Sequence, residues 1–182
     1  MNDAPQSTAR PASPEDLFDR LRALGIETET HRHDAVFTVA EAQALRGALP
    51  GAHCKSLFLR DRKGAQILVV CLEDRRLDMK ALAVLLGSGR LSFGSPERLR
   101  ALLGIEPGSV TPFAAINLDT AARDGFRMVL DSGMMAAEIA NYHPLTNTAT
   151  TAIRPSDLLR FLADCGIAAE IVVLDPATQR PG

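Results

Sequence analysis

Lys55-Ser56-Leu57-Phe58-Leu59-Arg60, Asp61-Arg62-Lys63-Gly64 and Ala65-Gln66-Ile67-Leu68-Val69-Val70-Cys71-Leu72 follow one another without a break, and this stretch decides the fold. Two runs rich in apolar and β-branched residues flank four polar residues that end in Gly. That pattern predicts an antiparallel hairpin. Outward from it, Asp78 caps a helix predicted to run through Leu86, and Ser95-Pro96-Glu97 opens another that stops at Gly104. Phe126 to Asp131, Glu138 to His143 and Thr148 to Ile153 read as strands, and Ser156 to Cys165 reads as a helix stopped by Gly166 before a strand over Ala169 to Leu174. Upstream, Ser13-Pro14-Glu15-Asp16 starts a helix. Ser caps it, Pro suits its first position and the acids suit its positive end. Leu17, Phe18, Leu21 and Leu24 share one face, Gly25 ends it, and Ile26 to His31 alternates as a half-exposed strand. A short helix is expected over Val39 to Leu45 and a loop over Gly47 to His53. Pro107, Gly108 and Pro112 make Ile105 to Ile116 largely loop.

Strands joined both by a hairpin and by helices predict a single mixed α/β domain, with a curved, mostly antiparallel sheet and flanking helices. The domain is expected over 13–175, between loose tails at 1–12 and 176–182. Asp16, Leu17, Leu21, Gly25, Ile26 and Glu29 recur as Asp157, Leu158, Leu162, Gly166, Ile167 and Glu170. Capped helices that feed strands commonly share such a pattern, and no function is drawn from it.

The 182 residues are 46% hydrophobic and 23% charged, enough for one sizeable core. A net charge of -2 without long like-charge runs disfavours a polybasic nucleic-acid binder and gives no reason to expect a DNA partner. No apolar run approaches the ~20 residues that span a bilayer. No membrane partner is expected, and without a basic and apolar leader the expected location is the cytoplasm. Cys54, Cys71 and Cys165 are odd in number and dispersed in apolar surroundings, as expected of reduced core thiols.

Signatures for phosphate loops, dinucleotide folds, nucleophile elbows and zinc proteases are missing. His31 and His33 would share a strand face and could bind a metal with His53 and Cys54, yet third and fourth ligands at recognisable spacing are lacking, so no metal is expected. Three places carry candidate chemistry. Lys55 opens an apolar strand, either as a snorkelling strand-end lysine or as a cationic group in a cleft. Pro107-Gly108-Ser109-Val110-Thr111-Pro112 is either a rigid connector or a backbone-amide pocket with Ser109 and Thr111 hydroxyls beside it. Asn141-Tyr142-His143-Pro144-Leu145-Thr146-Asn147 concentrates polar and constrained residues around a histidine.

In that order, the Lys55 strand, the Gly-Ser-Val-Thr-Pro-Phe loop and the His-Pro-Leu-x-Asn-x-x-Thr segment resemble the YbaK/prolyl-tRNA synthetase-associated editing-domain family. The resemblance extends over about 14–175, and Asp34 to Ala42, with Thr38, also looks like the family. Within it the chain is most similar to free-standing deacylases of alanine-charged proline tRNA. The resemblance implies trans-editing hydrolysis of Ala-tRNA(Pro) without metal or other cofactor, and the mischarged acceptor end and prolyl-tRNA synthetase as partners. It implies Lys55, Gly108 and His143 as catalytic residues, with Thr38, Ser56, Ser109, Thr111 and Asn147 binding substrate. Relatives commonly carry Asn where this chain has Ser56, which bears on amino-acid preference. Other readings are a deacylase that prefers Cys or Ser, a noncatalytic module that binds tRNA ends or a synthetase, and a serine hydrolase using Ser56 or Ser109 with His143, for which no elbow motif is present.

Overall fold

The computed structural model describes residues 10–35, 44 and 49–174. Of the helix expected over Val39 to Leu45 only Ala44 is among the described residues, where it is helical, and the candidate Thr38 lies outside them, as do both ends of the chain. Helix α1 (Pro14–Ala23) begins as its sequence dictates. Ser13 accepts from the Asp16 amide, and the Asp16 carboxylate accepts from the Ser13 amide in return. The contacts of the domain start earlier than Ser13, because the Ala12 amide donates to Asn117 Oδ1 at 2.8 Å and Arg10 pairs with Asp16.

The hairpin forms as expected, with β2 (Ala52–Arg60) antiparallel to β3 (Gln66–Leu72) in a register that sets Lys55 opposite Cys71 and Ser56 opposite Val70. His53, expected in a loop, lies inside β2 beside Asn141. Around this hairpin the chain adds β1 (Glu29–Arg32), β4 (Ser92–Phe93), β5 (Phe126–Asp131), β6 (Ala140–Tyr142), β7 (Ala149–Ile153) and β8 (Ala169–Val172). Together they form one eight-stranded sheet in the order β1-β7-β6-β2-β3-β5-β8, with β4 paired to β2. Pairs β1–β7, β6–β7, β2–β3 and β2–β4 are antiparallel, whereas β2–β6, β3–β5 and β5–β8 are parallel. The sheet is thus mixed, with antiparallel pairing in the majority. The two echoing segments take the same form, helix then glycine then strand, and their strands β1 and β8 become the opposite edges of the sheet.

Five further helices follow α1 among the described residues: α2 (Met79–Leu85), α3 (Pro96–Leu103), α4 (Thr120–Arg123), α5 (Ser132–Met135) and α6 (Pro155–Asp164), together with a 3-10 turn over Pro112–Asn117. The larger core packs α1, α3, α6 and the 3-10 turn against the face that carries Leu68, Val70, Met128 and Leu130. A smaller core packs α2 against Leu59, Ile67, Val69 and Cys71 on the other face. Strand β3 is consequently fully buried from Ile67 to Cys71, which explains its unbroken apolar run. None of the helices among the described residues is long and apolar enough to cross a membrane.

Candidate functional site

Strands β2 and β6 run side by side for only two residue pairs, Ala52 with Ala140 and His53 with Asn141. Asn141 clips the junction through Nδ2 donated to the carbonyls of Pro50 (2.9 Å) and Ala52 (3.2 Å). Beyond it the strands part, and β2 next meets a neighbour on that edge at Leu59, opposite Phe93. The Ala52 amide donates to Ile139 O and the Phe58 carbonyl accepts from Gly94 N, so even-numbered residues of β2 turn their backbone groups to this edge. Cys54 and Ser56 therefore present amide and carbonyl groups to a notch between β6 and β4 that no other strand fills among the described residues.

Lys55 and His143 stand on the two sides of the notch, each two residues past the last β2–β6 pair. Lys55 is half-buried on the face of Cys71, and its ammonium donates to the Arg75 carbonyl. Burial pushes the Cys71 thiol up to about 11, and the neighbouring Lys55 charge opposes that rise. Ser56 faces the opposite side of β2, with Val70, so its side chain points away from that of Lys55. What Ser56 offers the notch is its main chain.

The β6–β7 connection holds the second group of candidates. His143 Nδ1 lies 3.0 Å from the Ala149 carbonyl. A carbonyl only accepts, so Nδ1 carries a proton, and in the neutral form of the ring the lone pair sits on Nε2. His33 is fixed by the same logic, with Nδ1 donating to Asp34 O (2.8 Å) and Nε2 2.9 Å from Thr150 Oγ1, and its ring centroid is 6.5 Å from that of His143. Leu145 adopts φ +63, a left-handed conformation that a branched side chain occupies only at a cost, and its amide donates to His143 O. Backbone strain is thus held within the His143 segment.

Gly108 is brought to this segment. Its φ is +92, and a Cβ there would lie 3.9 Å from Asn147 Nδ2. Ser109 is buried with its amide donating to Glu106 O, and fully buried Thr111 caps the 3-10 turn through Oγ1 accepting from Phe113 N at 3.3 Å. Phe113 then packs edge-on against Tyr142, with centroids 5.8 Å apart, which ties the Gly108 loop to β6. The structure therefore joins Gly108, Asn147 and the His143 segment and places Lys55 and Ser56 one strand away. No hydrogen bond links Lys55 to Gly108 or His143 among the described residues.

Among the described residues no three His, Cys, Asp or Glu side chains converge as metal ligands would. His31 pairs with Glu29 at 3.0 Å, and His53 donates Nε2 to Leu49 O at 3.0 Å. Sequence reasoning weighed His33 only as a metal ligand and gave no role to Arg75 or Asp131. The one signal for Asp131 was a carboxylate closing an apolar strand ahead of Ser-Gly.

The chain belongs to the aminoacyl-tRNA editing domain family, which matches residues 33–161. Its relatives narrow the class to the prolyl-tRNA editing group. It is 38% identical over 156 residues to prolyl-tRNA synthetase associated domain-containing protein 1 of Bos taurus, covering 82% of this chain and 88% of the relative. It is 35% identical over 143 residues to the prolyl-tRNA editing protein ProX of Acetoanaerobium sticklandii, covering 78% and 85%. A crystal structure proposed to be that of a trans-editing enzyme for prolyl tRNA synthetase shares the fold, with a TM-score of 0.67 at 23% identity over 88% of this chain and 94% of that one.

Proposed function

We propose that the protein hydrolyses alanine from mischarged proline tRNA in the cytoplasm, as a free-standing editing enzyme that needs no metal. Alanine is smaller than proline and enters a proline site, where a missing methylene-sized group is worth only ~1–3 kcal/mol, so a second, smaller sieve is required. The observation that carries the proposal is the notch along β2 where β6 parts from it, flanked by Lys55 and His143, with Gly108 beside Asn147 of the His143 segment.

An aminoacyl ester is activated already. Water adds to the ester carbonyl carbon, the carbonyl oxygen becomes an oxyanion, and the bond from that carbon to the ribose oxygen breaks. Alanine leaves as the acid and the ribose regains its hydroxyl. Lys55 supplies positive charge to the oxyanion or the terminal phosphate, and backbone amides at Gly108 approach the ester because no Cβ intervenes. His143 Nε2 accepts from a ribose hydroxyl or from the attacking water. Asn147 shapes the pocket for the amino acid and terminal adenosine, buried Ser109 and Thr111 hold the Gly108 loop beside it, and Ser56 contributes its main-chain groups. With a net charge of -2, recognition of the acceptor stem rests on a few cationic contacts, and prolyl-tRNA synthetase is a second partner.

Incubating the protein with Ala-, Cys-, Ser- and Pro-charged proline tRNA in the presence of a strong chelator tests this. Release of alanine with proline retained is expected. Preferential release of cysteine or serine would change the substrate, and turnover of none would leave a binding module.

A further inference from the structure

Beneath Lys55 lies a clamp that the proposed chemistry has not used. The Lys55 ammonium donates to the main-chain carbonyl of Arg75, in the turn that follows β3. Arg75 is in turn anchored by its side chain, with Nε 3.0 Å from Asp131 Oδ2 at the end of β5. Asp131 is completely buried. Its Oδ1 accepts from the Gly133 amide at 3.0 Å, and Oδ2 lies 3.5 Å from the Leu72 amide. One carboxylate therefore ties together the end of β3, the turn that receives Lys55 and the start of α5. Gly133 completes the arrangement, because a Cβ there would lie 2.5 Å from Arg75 Nη2 and occupy the guanidinium's place.

Resting on the editing reaction above, we infer that Asp131, Arg75 and Gly133 are positioning residues that fix the Lys55 ammonium at the notch. A buried carboxylate is costly unless paired and hydrogen-bonded, and here its pairing holds a carbonyl in the one place where a catalytic cation docks. A misplacement of about 1 Å at a reacting group can cost about 10²-fold in rate, so the clamp bears on kcat rather than on tRNA binding.

Gly133→Ala is the most selective perturbation, since it removes no polar group and displaces only the far end of a flexible side chain. Asp131→Asn is the second variant and removes the charge that holds Arg75. The chain has three lysines, Lys55, Lys63 and Lys80, and the latter two are exposed. They serve as internal standards for trace reductive methylation of the full-length protein, read by peptide mass spectrometry. In the wild type, Lys55 should be methylated at least about tenfold more slowly than Lys63 and Lys80. In Gly133→Ala that protection should fall to near parity, with kcat for deacylation lowered about 10- to 100-fold and KM within about threefold. In a Lys55→Ala background, Gly133→Ala should cost nothing further. Wild-type protection of Lys55 in both Gly133→Ala and Asp131→Asn would overturn the inference, as would equal losses of activity with and without Lys55. If the wild type deacylates none of the charged tRNAs, the proposed function falls, and the methylation pattern still decides whether the clamp holds Lys55.

Discussion

Replacing Gly108 with Ala separates a backbone cost from a catalytic one. At φ +92 an L side chain is strained, but the added methyl would meet only Asn147 Nδ2, at 3.9 Å, which is ordinary contact. The folded state therefore loses about 1–2 kcal/mol from backbone strain and nothing from collision. For a chain of this size that is about 2–8 °C in Tm. A domain with the usual ~5–15 kcal/mol of stability remains more than about 99% folded after such a loss, so unfolding cannot account for a large fall in rate. If the Gly108 amides approach the ester, the methyl stands where the substrate carbonyl must come. Deacylation should then fall at least ~10²-fold, equivalent to about 2.7 kcal/mol of transition-state stabilisation. Gly64 supplies the control. In the β2–β3 turn it has φ +95 and open space around the missing Cβ, so Gly64→Ala should match the Tm loss and keep the wild-type rate. The assay is single-turnover release of alanine from Ala-tRNA(Pro), beside thermal melts of the same samples. A Gly108→Ala rate within about threefold of the Gly64→Ala rate would show that the Gly108 backbone does not meet the ester.

Phe113→Ala should cost about 3–5 kcal/mol in urea unfolding, because the ring is fully buried and packs edge-on against both Tyr142 and Phe161; a loss under about 1 kcal/mol would show that the 3-10 turn is not anchored there. The Asp16 carboxylate, held at about 2 by the Ser13 amide and Arg10, favours the native state above the ordinary value of 3.8 and ceases to as pH falls through about 2. The Tm advantage of wild type over Asp16→Asn should accordingly vanish across that window. Burial raises the Cys54 thiol from 9.0 to about 12, so native stability from the neutral thiol is full below 9.0 and declines as pH rises toward 12. At neutral pH a thiol reagent should modify Cys54 only after unfolding, and rapid reaction of the native protein would contradict its burial.

The hairpin, the capped helices and the strand over Phe126 to Asp131 were legible because each carries its own signal: alternation, a Ser-Pro start or a glycine stop. Strand β4 and helices α4 and α5 were not, since two to four residues hold no periodicity and take their form from neighbours such as β2. The unbroken apolar run of β3 pointed to a strand but not to a second core, which depends on α2 covering the far face. At the site, the order of the lysine strand, the glycine loop and the histidine segment was readable, because each keeps its residues close in sequence. The Arg75–Asp131 tie was not, since its partners are 56 residues apart and meet only once β3 and β5 lie parallel with Val70 beside Leu130. The strand predicted from Lys55 already implied that Lys55 and Ser56 face opposite sides, but not the notch beside them, which depends on β6 parting from β2 after two residue pairs.

Whether Lys55 drives hydrolysis of the alanyl ester at the notch where β6 parts from β2 is read from single-turnover rates for wild type and Lys55→Ala on Ala-tRNA(Pro), with Pro-tRNA(Pro) in parallel. Wild type should clear alanine and spare proline, and Lys55→Ala should be at least ~10²-fold slower with its melting temperature nearly unchanged. A Lys55→Ala protein that melts lower yet deacylates at the wild-type rate, or a wild type that releases proline as fast as alanine, would contradict that expectation.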